Sequence, residues 1–384
     1  MPSSAALSRP ARVLVVFGTR PEAIKLCPLV RRLREHPQSF QVRVCVTAQH
    51  RSMLDQVLQA FQVRPDDDLD IMRPDQTLPQ LTSRVMAALE PVLNIEKPDT
   101  VIVQGDTTTT FCAALAGFYA GARVAHVEAG LRTGDKHQPY PEEINRLLTS
   151  RLSDLHFAAT AQAAANLRAE GIPATSIFVT GNTVIDAVLE IRGGLESGRL
   201  PRPDWPFLAP GRRLILVTAH RRESFGEGFE RICEALARLS ERKDIDIVYP
   251  VHCNPRVQGP VHSRLAGRPR IHLIEPLEYI PFVDLMARSY LILTDSGGVQ
   301  EEAPSLGKPV LVMREKTERP EAVRAGTVRL VGTNVETIVA ETNTLLDDSG
   351  RYRQMARRHN PYGDGHACER IAAILAGKAF RLRQ

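Results

Sequence analysis

Acidic residues stand at three places in the sequence where a carboxylate could take or deliver a proton. Glu128 ends the apolar run VAHVE, and a carboxylate at the end of a buried strand needs a partner or a task. Asp106 precedes four threonines, and Glu142 opens a predicted helix. General acid–base catalysis uses carboxylates of this kind. The alternatives are structural: Asp106 could cap a helix, and one of Glu142 and Glu143 could stabilise the helix dipole.

The segment LILTDSGGVQEEAPSLGKPV has the pattern of a phosphate-binding turn. A predicted strand enters Ser296, Gly297 and Gly298, and a predicted helix follows. Bare backbone N–H groups and the positive end of a helix dipole both favour an anion. Two carboxylates, Glu301 and Glu302, follow within one turn, and phosphate alone gives no reason for them.

Basic side chains lie in or beside two further turns that follow apolar runs. Arg20 lies in the turn GTRPE, and Lys25 follows on the predicted helix, where both suit a diphosphate. A surface position on an amphipathic helix is the alternative for Lys25. His220 is followed by two arginines. Their repulsion would keep the histidine neutral, or the histidine would pair with an anion when one is present. Capping a helix is the alternative for His220.

Length and composition bound the function. The 384 residues exceed one ordinary core, so two domains are expected. An apolar content of 43% and a charged content of 24% are typical of a soluble globular protein. A net charge of +5, 5% aromatic residues and the lack of a dense basic block argue against nucleic-acid binding. GTRPE has one glycine where a dinucleotide fingerprint has three, so a tightly bound NAD is not expected.

The cysteines and the apolar stretches indicate the compartment. The six cysteines are scattered without a CxxC pair or a Cys/His cluster, which predicts a reduced cytoplasmic protein without structural zinc. The N-terminus lacks the apolar segment of a secretory signal, and no apolar stretch approaches the ~18 residues that span a bilayer. The acidic run at 66–68 is interpreted as a solvated loop. Neither a cofactor nor a membrane partner is expected.

Short apolar runs without alternation predict parallel strands that are buried on both faces. They lie at 12–17, 42–46, 100–104, 123–127 and 177–180, and then at 213–218, 246–251, 271–275, 290–294 and 309–313. Helical patterns alternate with them, which predicts an α/β fold of two doubly wound, Rossmann-like domains. Polar, glycine-containing segments follow the strands in both halves. Ligands of open α/β sheets bind at that end, so we expect a cleft between two facing domains.

The domain boundaries follow from changes in composition. A disordered N-terminal extension is expected at 1–11, and the first domain at 12–192. A segment with four prolines and four glycines predicts a linker at 193–212, followed by the second domain at 213–365. A C-terminal helix at 366–384 is expected to pack back on the first domain.

Ten motifs in one order resemble the bacterial non-hydrolysing UDP-N-acetylglucosamine 2-epimerases from about residue 12 onward. They are GTRPEAIK, TAQHR, GDTTTT, HVEAGLRT, PYPEE, GNTVIDA, HRRESF, DSGGVQEEAPSLGKPVLVMR, TERPEAV and NPYGDG. The resemblance implies a GT-B fold, a homodimer, no nicotinamide and no required metal. It implies interconversion of UDP-N-acetylglucosamine and UDP-N-acetylmannosamine by elimination of UDP to a 2-acetamidoglucal and re-addition of UDP.

The resemblance also implies roles for individual residues. The residues that match catalytic positions are Asp106, Glu128, Glu142 and His220. The residues that match UDP-sugar-binding positions are Arg20, Lys25, Leu277, Phe282, Ser296, Gly297, Gly298, Glu302 and Arg319. Glu302 would accept hydrogen bonds from ribose hydroxyls, which accounts for a carboxylate beside the phosphate turn, and Glu301 would be structural. Some relatives have Gln where this chain has Leu277, so a uracil contact there would come from the backbone.

Some relatives also bind a second, activating substrate molecule. Gln49, Glu142, Arg221 and His252 match that pattern. Ser52 and Asp75 differ from it, since those relatives have Gln and Arg at the two positions.

Three other functions share parts of the pattern. A retaining GT-B glycosyltransferase has the same fold and donor site but has no need of three acids around C2 of the sugar. A hydrolysing epimerase differs in letting water reach the glucal. A non-catalytic nucleotide-sugar sensor would keep Glu302 but has no reason to keep Asp106, Glu128 and His220.

Overall fold

The structure is a computed structural model that describes residues 9–48, 51–73 and 75–377. The chain divides into two compact units. The first comprises Met1–Ala187 and Tyr362–Gln384, and the second comprises Val188–Pro361.

Both units contain a parallel sheet. The strands are β1 Ala11–Phe17, β2 Phe40–Val46, β3 Asp67–Asp68, β4 Thr100–Gln104, β5 Arg123–Ala129, β6 Leu155–Ala158, β7 Ile177–Val179, β8 Arg213–Thr218, β9 Ile245–Pro250, β10 Ile271–Ile274, β11 Leu291–Thr294, β12 Val310–Val312 and β13 Val328–Leu330. In the described part of the first unit the order is β3-β2-β1-β4-β5-β6-β7, and in the second it is β10-β9-β8-β11-β12-β13. Both orders are doubly wound around a central crossover, so the predicted fold class is confirmed.

Helices connect the strands. They are α1 Arg20–Arg34, α2 Arg51–Ala60, α3 Leu78–Glu96, α4 Thr108–Tyr119, α5 Glu142–Leu152, α6 Ala161–Ala169, α7 Thr183–Glu196, α8 Glu227–Leu239, α9 Pro255–Leu265, α10 Tyr279–Arg288, α11 Gly297–Glu302, α12 Pro320–Ala325, α13 Val335–Asp347, α14 Ser349–Ala356 and α15 Ala367–Leu375. Short 3-10 helices occupy Ala174–Ser176, Arg222–Ser224 and Ala303–Leu306.

The sequence explains why the first crossover forms where it does. All five residues of β4 are buried, as expected for a central parallel strand. Thr19 caps α1, and Glu22 completes a capping box by accepting the N–H of Thr19. The apolar side chains of one face of α1 are buried in the first unit, namely Ile24, Leu29, Val30 and Leu33. These local signals place the end of β1 and the start of α1 at one edge of the sheet.

Three strands were not predicted: β3, β6 and β13. Interpretation of the acidic run at 66–68 as a solvated loop was wrong, because Asp67 and Asp68 pair with the end of β2. Asp66 also accepts the backbone N–H of Val44 at 2.8 Å.

The regions around the expected boundaries are ordered in part. Helix α7 continues through Gly193 and Gly194 to Glu196, so the first four residues of the expected linker are helical. Helix α15 packs against α1 within the first unit. Before β1, Arg9 pairs with Asp99 at 2.8 Å. Residues 1–8 and 378–384, parts of the expected terminal segments, lie outside the described residues.

Candidate active site

The ends of β4 and β5 bring the first predicted acid to the edge of the sheet. The two strands pair with Gln104 opposite Val127, so the residues that follow them emerge side by side. Glu128 is buried and accepts a hydrogen bond from Nε2 of Gln104 at 2.7 Å. It also pairs with the ammonium of Lys25, on α1. The structure therefore places Lys25, predicted to bind a diphosphate, in contact with a predicted catalytic acid.

The backbone at Glu128 is unusual. Its φ is +63°, and the pairing of β5 with β6 shifts register between Val127 and Ala129. A positive φ is strained for a residue with a side chain, and bulges often redirect side chains at functional sites. Gly130 follows with φ +90°, and a Cβ there would lie 2.2 Å from the carbonyl oxygen of Ala163. The EAG motif thus turns the carboxylate out of the strand and lets α6 approach closely.

Asp106 does not cap a helix, so that alternative is wrong. Thr107 is the N-cap of α4 and accepts the N–H of Thr110 at 3.0 Å. The Oδ2 of Asp106 lies 2.5 Å from Nη2 of Arg146, and its backbone carbonyl accepts a hydrogen bond from Nδ2 of Asn145 at 2.9 Å. Both partners are on α5, which ties the β4–α4 turn to that helix.

The two acids that open α5 have different surroundings. Glu143 accepts hydrogen bonds from the backbone N–H groups of Thr133 and Gly134 and forms an ion pair with Arg146, so it has a structural role. Glu142 lies one turn before Arg146 on the same face of the helix. Its Oε2 is buried and makes no hydrogen bond within the described residues. Because Arg146 contacts Asp106, the structure brings Glu142 to the side of α5 that Asp106 approaches.

A further buried acid, Glu22, was not predicted as part of the site. It accepts the N–H groups of Gly18 at 3.1 Å and Thr19 at 2.8 Å, and the hydroxyls of Thr107 at 2.7 Å and Thr110 at 3.0 Å. Burial raises the pKa of Glu22. Glu22 joins the turn that carries Arg20 to the turn that carries Asp106. The capping-box spacing T-R-P-E was the sequence signal for its local role.

In the second unit, a buried carboxylate holds the predicted histidine. Strands β8 and β11 pair with Thr218 opposite Thr294, so the residues after them are neighbours. The Oδ2 of Asp295 accepts the backbone N–H groups of His220 and Arg221, each at 2.7 Å. Asp295 was not predicted as a site residue, although it directly follows the strand.

The ring of His220 stacks on that of His252 at a centroid distance of 5.3 Å. Burial lowers the pKa of His220, the carboxylate of Asp295 opposes this by raising it, and His252 and Arg221 lower it further. The expected neutral state agrees with this direction. Repulsion by the arginines was the expected cause, but burial lowers the pKa of His220 more than Arg221 does.

Two guanidinium groups lie against the glycine turn that opens α11. An ideal Cβ on Gly297 would lie 3.6 Å from Cζ of Arg319 and 3.8 Å from Nη2 of Arg221. The Nε of Arg221 is buried and has no hydrogen-bond partner in the described part of the chain. Arg319 also pairs with Glu301, which supports the structural role expected for that acid. Bare backbone between two arginines is a favourable place for an anion.

Glu302 lies beside the same turn. An ideal Cβ on Gly298 would lie 3.4 Å from Oε1 of Glu302, and the hydroxyl of Tyr279 donates to Oε2 at 3.2 Å. Tyr279 begins α10, which also carries the half-buried Phe282, and the half-buried Leu277 lies just before it. Tyr279 was not predicted, because nothing in the sequence pairs it with Glu302.

The remaining predictions concern absent groups and one further residue. Gln49, part of the expected second substrate site, lies outside the described residues. No group of three or more His, Cys, Asp or Glu side chains in the described ranges could hold a metal ion. In the same ranges, no helix is long and apolar enough to cross a bilayer.

Two doubly wound α/β units, with acids at the strand ends of one and arginines around a glycine turn in the other, define a two-domain enzyme of the GT-B class. The fold is similar to that of a glycotransferase of kitacinnamycin, with a TM-score of 0.64 at 12% identity over 96% of this chain and 98% of that one. The family model described as UDP-N-acetylglucosamine 2-epimerase matches residues 31–376. The chain belongs to this family and is an epimerase.

Two relatives show how close the match is. The chain is 57% identical to the UDP-N-acetylglucosamine 2-epimerase of Yersinia pestis over 369 residues, covering 95% of this chain and 98% of that protein. Among solved structures, it is similar to UDP-GlcNAc 2-epimerase from Neisseria meningitidis bound to UDP-GlcNAc. The TM-score is 0.88 at 48% identity, covering 96% of this chain and 100% of that one.

Proposed function

We propose that the protein interconverts UDP-N-acetylglucosamine and UDP-N-acetylmannosamine without hydrolysing either. The observation that carries the proposal is the grouping of acids in the first unit. Asp106 is held to α5 by Arg146, Glu142 opens that helix, and Glu128 emerges from the neighbouring strand. A sensor or a glycosyltransferase has no need of three such acids.

The reaction begins with loss of UDP. The proton on C2 of the sugar is very weakly acidic, so cleavage of the C1–O bond runs ahead and places positive charge on the ring. UDP leaves with the bonding electron pair, a carboxylate takes the C2 proton, and the C1–C2 double bond of 2-acetamidoglucal forms. A carboxylate then returns a proton to the opposite face of C2, and UDP adds back to C1. Carboxylates are therefore required on both faces of C2.

The second unit supplies groups for the departing diphosphate. Arg221 and Arg319 lie against Gly297, and neutral His220 can donate one ring N–H. Such preorganised donors stabilise charge as it develops on a leaving group. Arg20, at the start of α1 in the first unit, is assigned to substrate binding because it matches a UDP-sugar-binding position of the family. Lys25 is assigned to orienting Glu128, which it contacts.

The nucleoside is assigned to the surroundings of α10 and α11. Glu302 accepts hydrogen bonds from ribose hydroxyls, and Tyr279 orients its carboxylate. Phe282 and the backbone of Leu277 are assigned to uracil. The carboxylate beside the phosphate turn thus has a neutral, hydrogen-bonding partner in the ligand.

The proposal includes a homodimer. Large apolar side chains are exposed on helices of the first unit that pack in sequence: Ile95 lies in the last turn of α3, Phe118 and Tyr119 in the last turn of α4, and Leu148 on α5. Ile95 is 77% exposed and Tyr119 is 70% exposed. Apolar clusters of this kind often mark protein interfaces.

The proposal also includes a cellular role and a compartment. The product would supply activated N-acetylmannosamine for cell-surface polysaccharide. The six unpaired cysteines fit the reducing cytoplasm.

Product analysis tests the proposal. Purified protein is incubated with UDP-N-acetylglucosamine alone, without metal, NAD or acceptor, and the products are separated by anion-exchange chromatography. We expect UDP-N-acetylmannosamine. Free N-acetylmannosamine with UDP would instead show a hydrolysing enzyme, and unchanged substrate would favour a transferase or a sensor.

A further inference from the structure

A pocket of about 600 Å³ lies at the edge of the second sheet, and all the residues that line it fall between 311 and 358. Its walls come from β12, β13 and α13, from α14 with the residues just after it, and from the end of α12 with the glycine that follows. Small-molecule sites typically enclose about 300–1,000 Å³. None of the residues assigned above to catalysis or nucleotide binding lines this pocket. Its edge strand, β13, is two strands away from β11, which precedes Asp295.

The floor of the pocket is apolar. It includes Leu311, Val328 and Leu345, which are 0%, 2% and 5% exposed and belong to the core of the second unit. Half-buried apolar side chains, among them Leu330 and Met355, extend this surface toward the mouth. A hydrocarbon group of modest length would therefore be removed from water here.

The mouth of the pocket is cationic. Three exposed arginines line it: Arg329, Arg351 and Arg358. One lining carboxylate, Glu341, pairs with Arg329 at 2.7 Å. In Arg351, Nε lies 3.7 Å from a carboxylate oxygen of an aspartate outside the pocket.

Arg358 differs from the other two arginines. No carboxylate pairs with it in the described ranges. It lies against bare backbone, because an ideal Cβ on Gly326 would be 3.3 Å from its Cζ. Its charge is therefore available to a ligand at the mouth.

We infer that this pocket binds a small amphipathic organic anion, with a carboxylate at Arg358 and a hydrocarbon body on the floor formed by Leu311, Val328 and Leu345. The apolar floor favours the hydrocarbon part of the ligand, and the guanidinium of Arg358, which has no carboxylate partner in the described ranges, favours its negative charge. A short anion would leave the floor uncovered, and a neutral apolar molecule would leave Arg358 without a partner. The site is separate from the nucleotide site and does not depend on the proposed function.

Binding of decanoate to the full-length protein tests the inference. Isothermal titration calorimetry is done below the micelle concentration with decanoate, with butyrate and with decanol. We expect decanoate to bind more tightly than either of the others, and saturating UDP to leave its affinity unchanged. Arg358→Gln should weaken decanoate binding about tenfold, the loss expected for one charge-assisted hydrogen bond. Thr344→Phe, which fills the pocket from α13, should weaken it at least as much.

The matched control is Arg353→Gln, on the exposed face of α14 and outside the pocket lining, which should bind decanoate as the wild type does. Thermal unfolding identifies any variant that fails to fold. The two lining variants change different parts of the wall, since Thr344 is on α13 and Arg358 follows α14. Absence of decanoate binding to the wild type would overturn the inference, as would binding that both lining variants leave unchanged. Sedimentation with phosphatidylglycerol vesicles that depends on Arg358, without binding of free decanoate, would also overturn it in favour of a membrane contact.

Discussion

Asp295 fixes the position of His220 and also influences its charge. One carboxylate oxygen accepts the backbone N–H groups of His220 and Arg221, and the other lies 3.6 Å from Nδ1 of His220. Asp295 is fully buried at the end of β11, next to β8. The carboxylate that follows β11 therefore fixes the backbone that follows β8.

Asp295→Asn should shift the pH dependence of the reaction. The amide oxygen can still accept both N–H groups, but the negative charge that raises the pKa of His220 is lost. The pKa of His220, already lowered by burial, should fall further. Since neutral His220 predominates above its pKa, the acid limb of kcat/KM should move to lower pH. Asp246→Asn, which alters a buried aspartate at the other end of the sheet, is the control. An acid limb that moves to higher pH would contradict the assignment.

Arg146→Gln should reduce both stability and turnover. Arg146 bridges Asp106 and Glu143, and Glu143 is only 2% exposed. Removing one partner of a buried ion pair costs roughly 3 kcal/mol of unfolding free energy, which urea denaturation would measure. We also expect kcat to fall, because Asp106 loses the group that orients it. Arg151→Gln, on the same helix but exposed, should have little effect on kcat. Wild-type turnover in Arg146→Gln would show that Asp106 does not need this orientation.

Tyr279→Phe should act mainly on substrate binding. Its hydroxyl donates to Glu302 at 3.2 Å, so the variant loosens the carboxylate that is assigned to the ribose. Loss of one hydrogen bond of about 1 kcal/mol predicts a KM roughly fivefold higher with kcat nearly unchanged. Steady-state kinetics with UDP-N-acetylglucosamine measure both. Tyr352→Phe removes a hydroxyl that donates to the backbone of Tyr290, and should change neither. A fall in kcat at constant KM would place Tyr279 in the chemical step instead.

Phe118→Asp should weaken the proposed dimer. Phe118 is 58% exposed at the end of α4, and a carboxylate buried in an apolar interface is unfavourable. We expect light scattering after size exclusion to show a dimer for the wild type and a monomer for the variant. Gln162→Asp, on the exposed face of α6, should remain a dimer. A monomeric wild type would contradict the proposed dimer. A dimer that Phe118→Asp leaves unchanged would show that the interface lies elsewhere.

Most of the fold was predictable because central parallel strands are apolar along their whole length. Residues 100–104 and 213–218 were predicted with the bounds that the structure shows. The missed strands β3 and β13 are edge strands of two and three residues, and β6 contains His156 in an otherwise short apolar run. Such segments depend on a neighbouring strand that local sequence does not reveal. The linker boundary was misplaced since Gly193 and Gly194 continue a helix despite their weak helical propensity.

The site was predictable in its residue types but not in its pairings. Glycines and acids at strand ends mark the place where parallel sheets bind ligands. The contacts of Lys25 with Glu128 and of Asp106 with Arg146 join residues 103 and 40 positions apart, and periodicity carries no information about them. The same is true of Tyr279 and Glu302. Asp295 was within reach of sequence reasoning, because a carboxylate directly after a buried strand requires a partner.

Incorporation of solvent hydrogen at C2 tests the central claim most directly. The protein is incubated with UDP-N-acetylglucosamine in D₂O, and the sugars are followed by NMR. Elimination and re-addition through carboxylates that serve both faces of C2 predict UDP-N-acetylmannosamine with deuterium at C2, and then deuterium at C2 of the remaining UDP-N-acetylglucosamine. UDP-N-acetylmannosamine that keeps its original hydrogen at C2 would contradict the account.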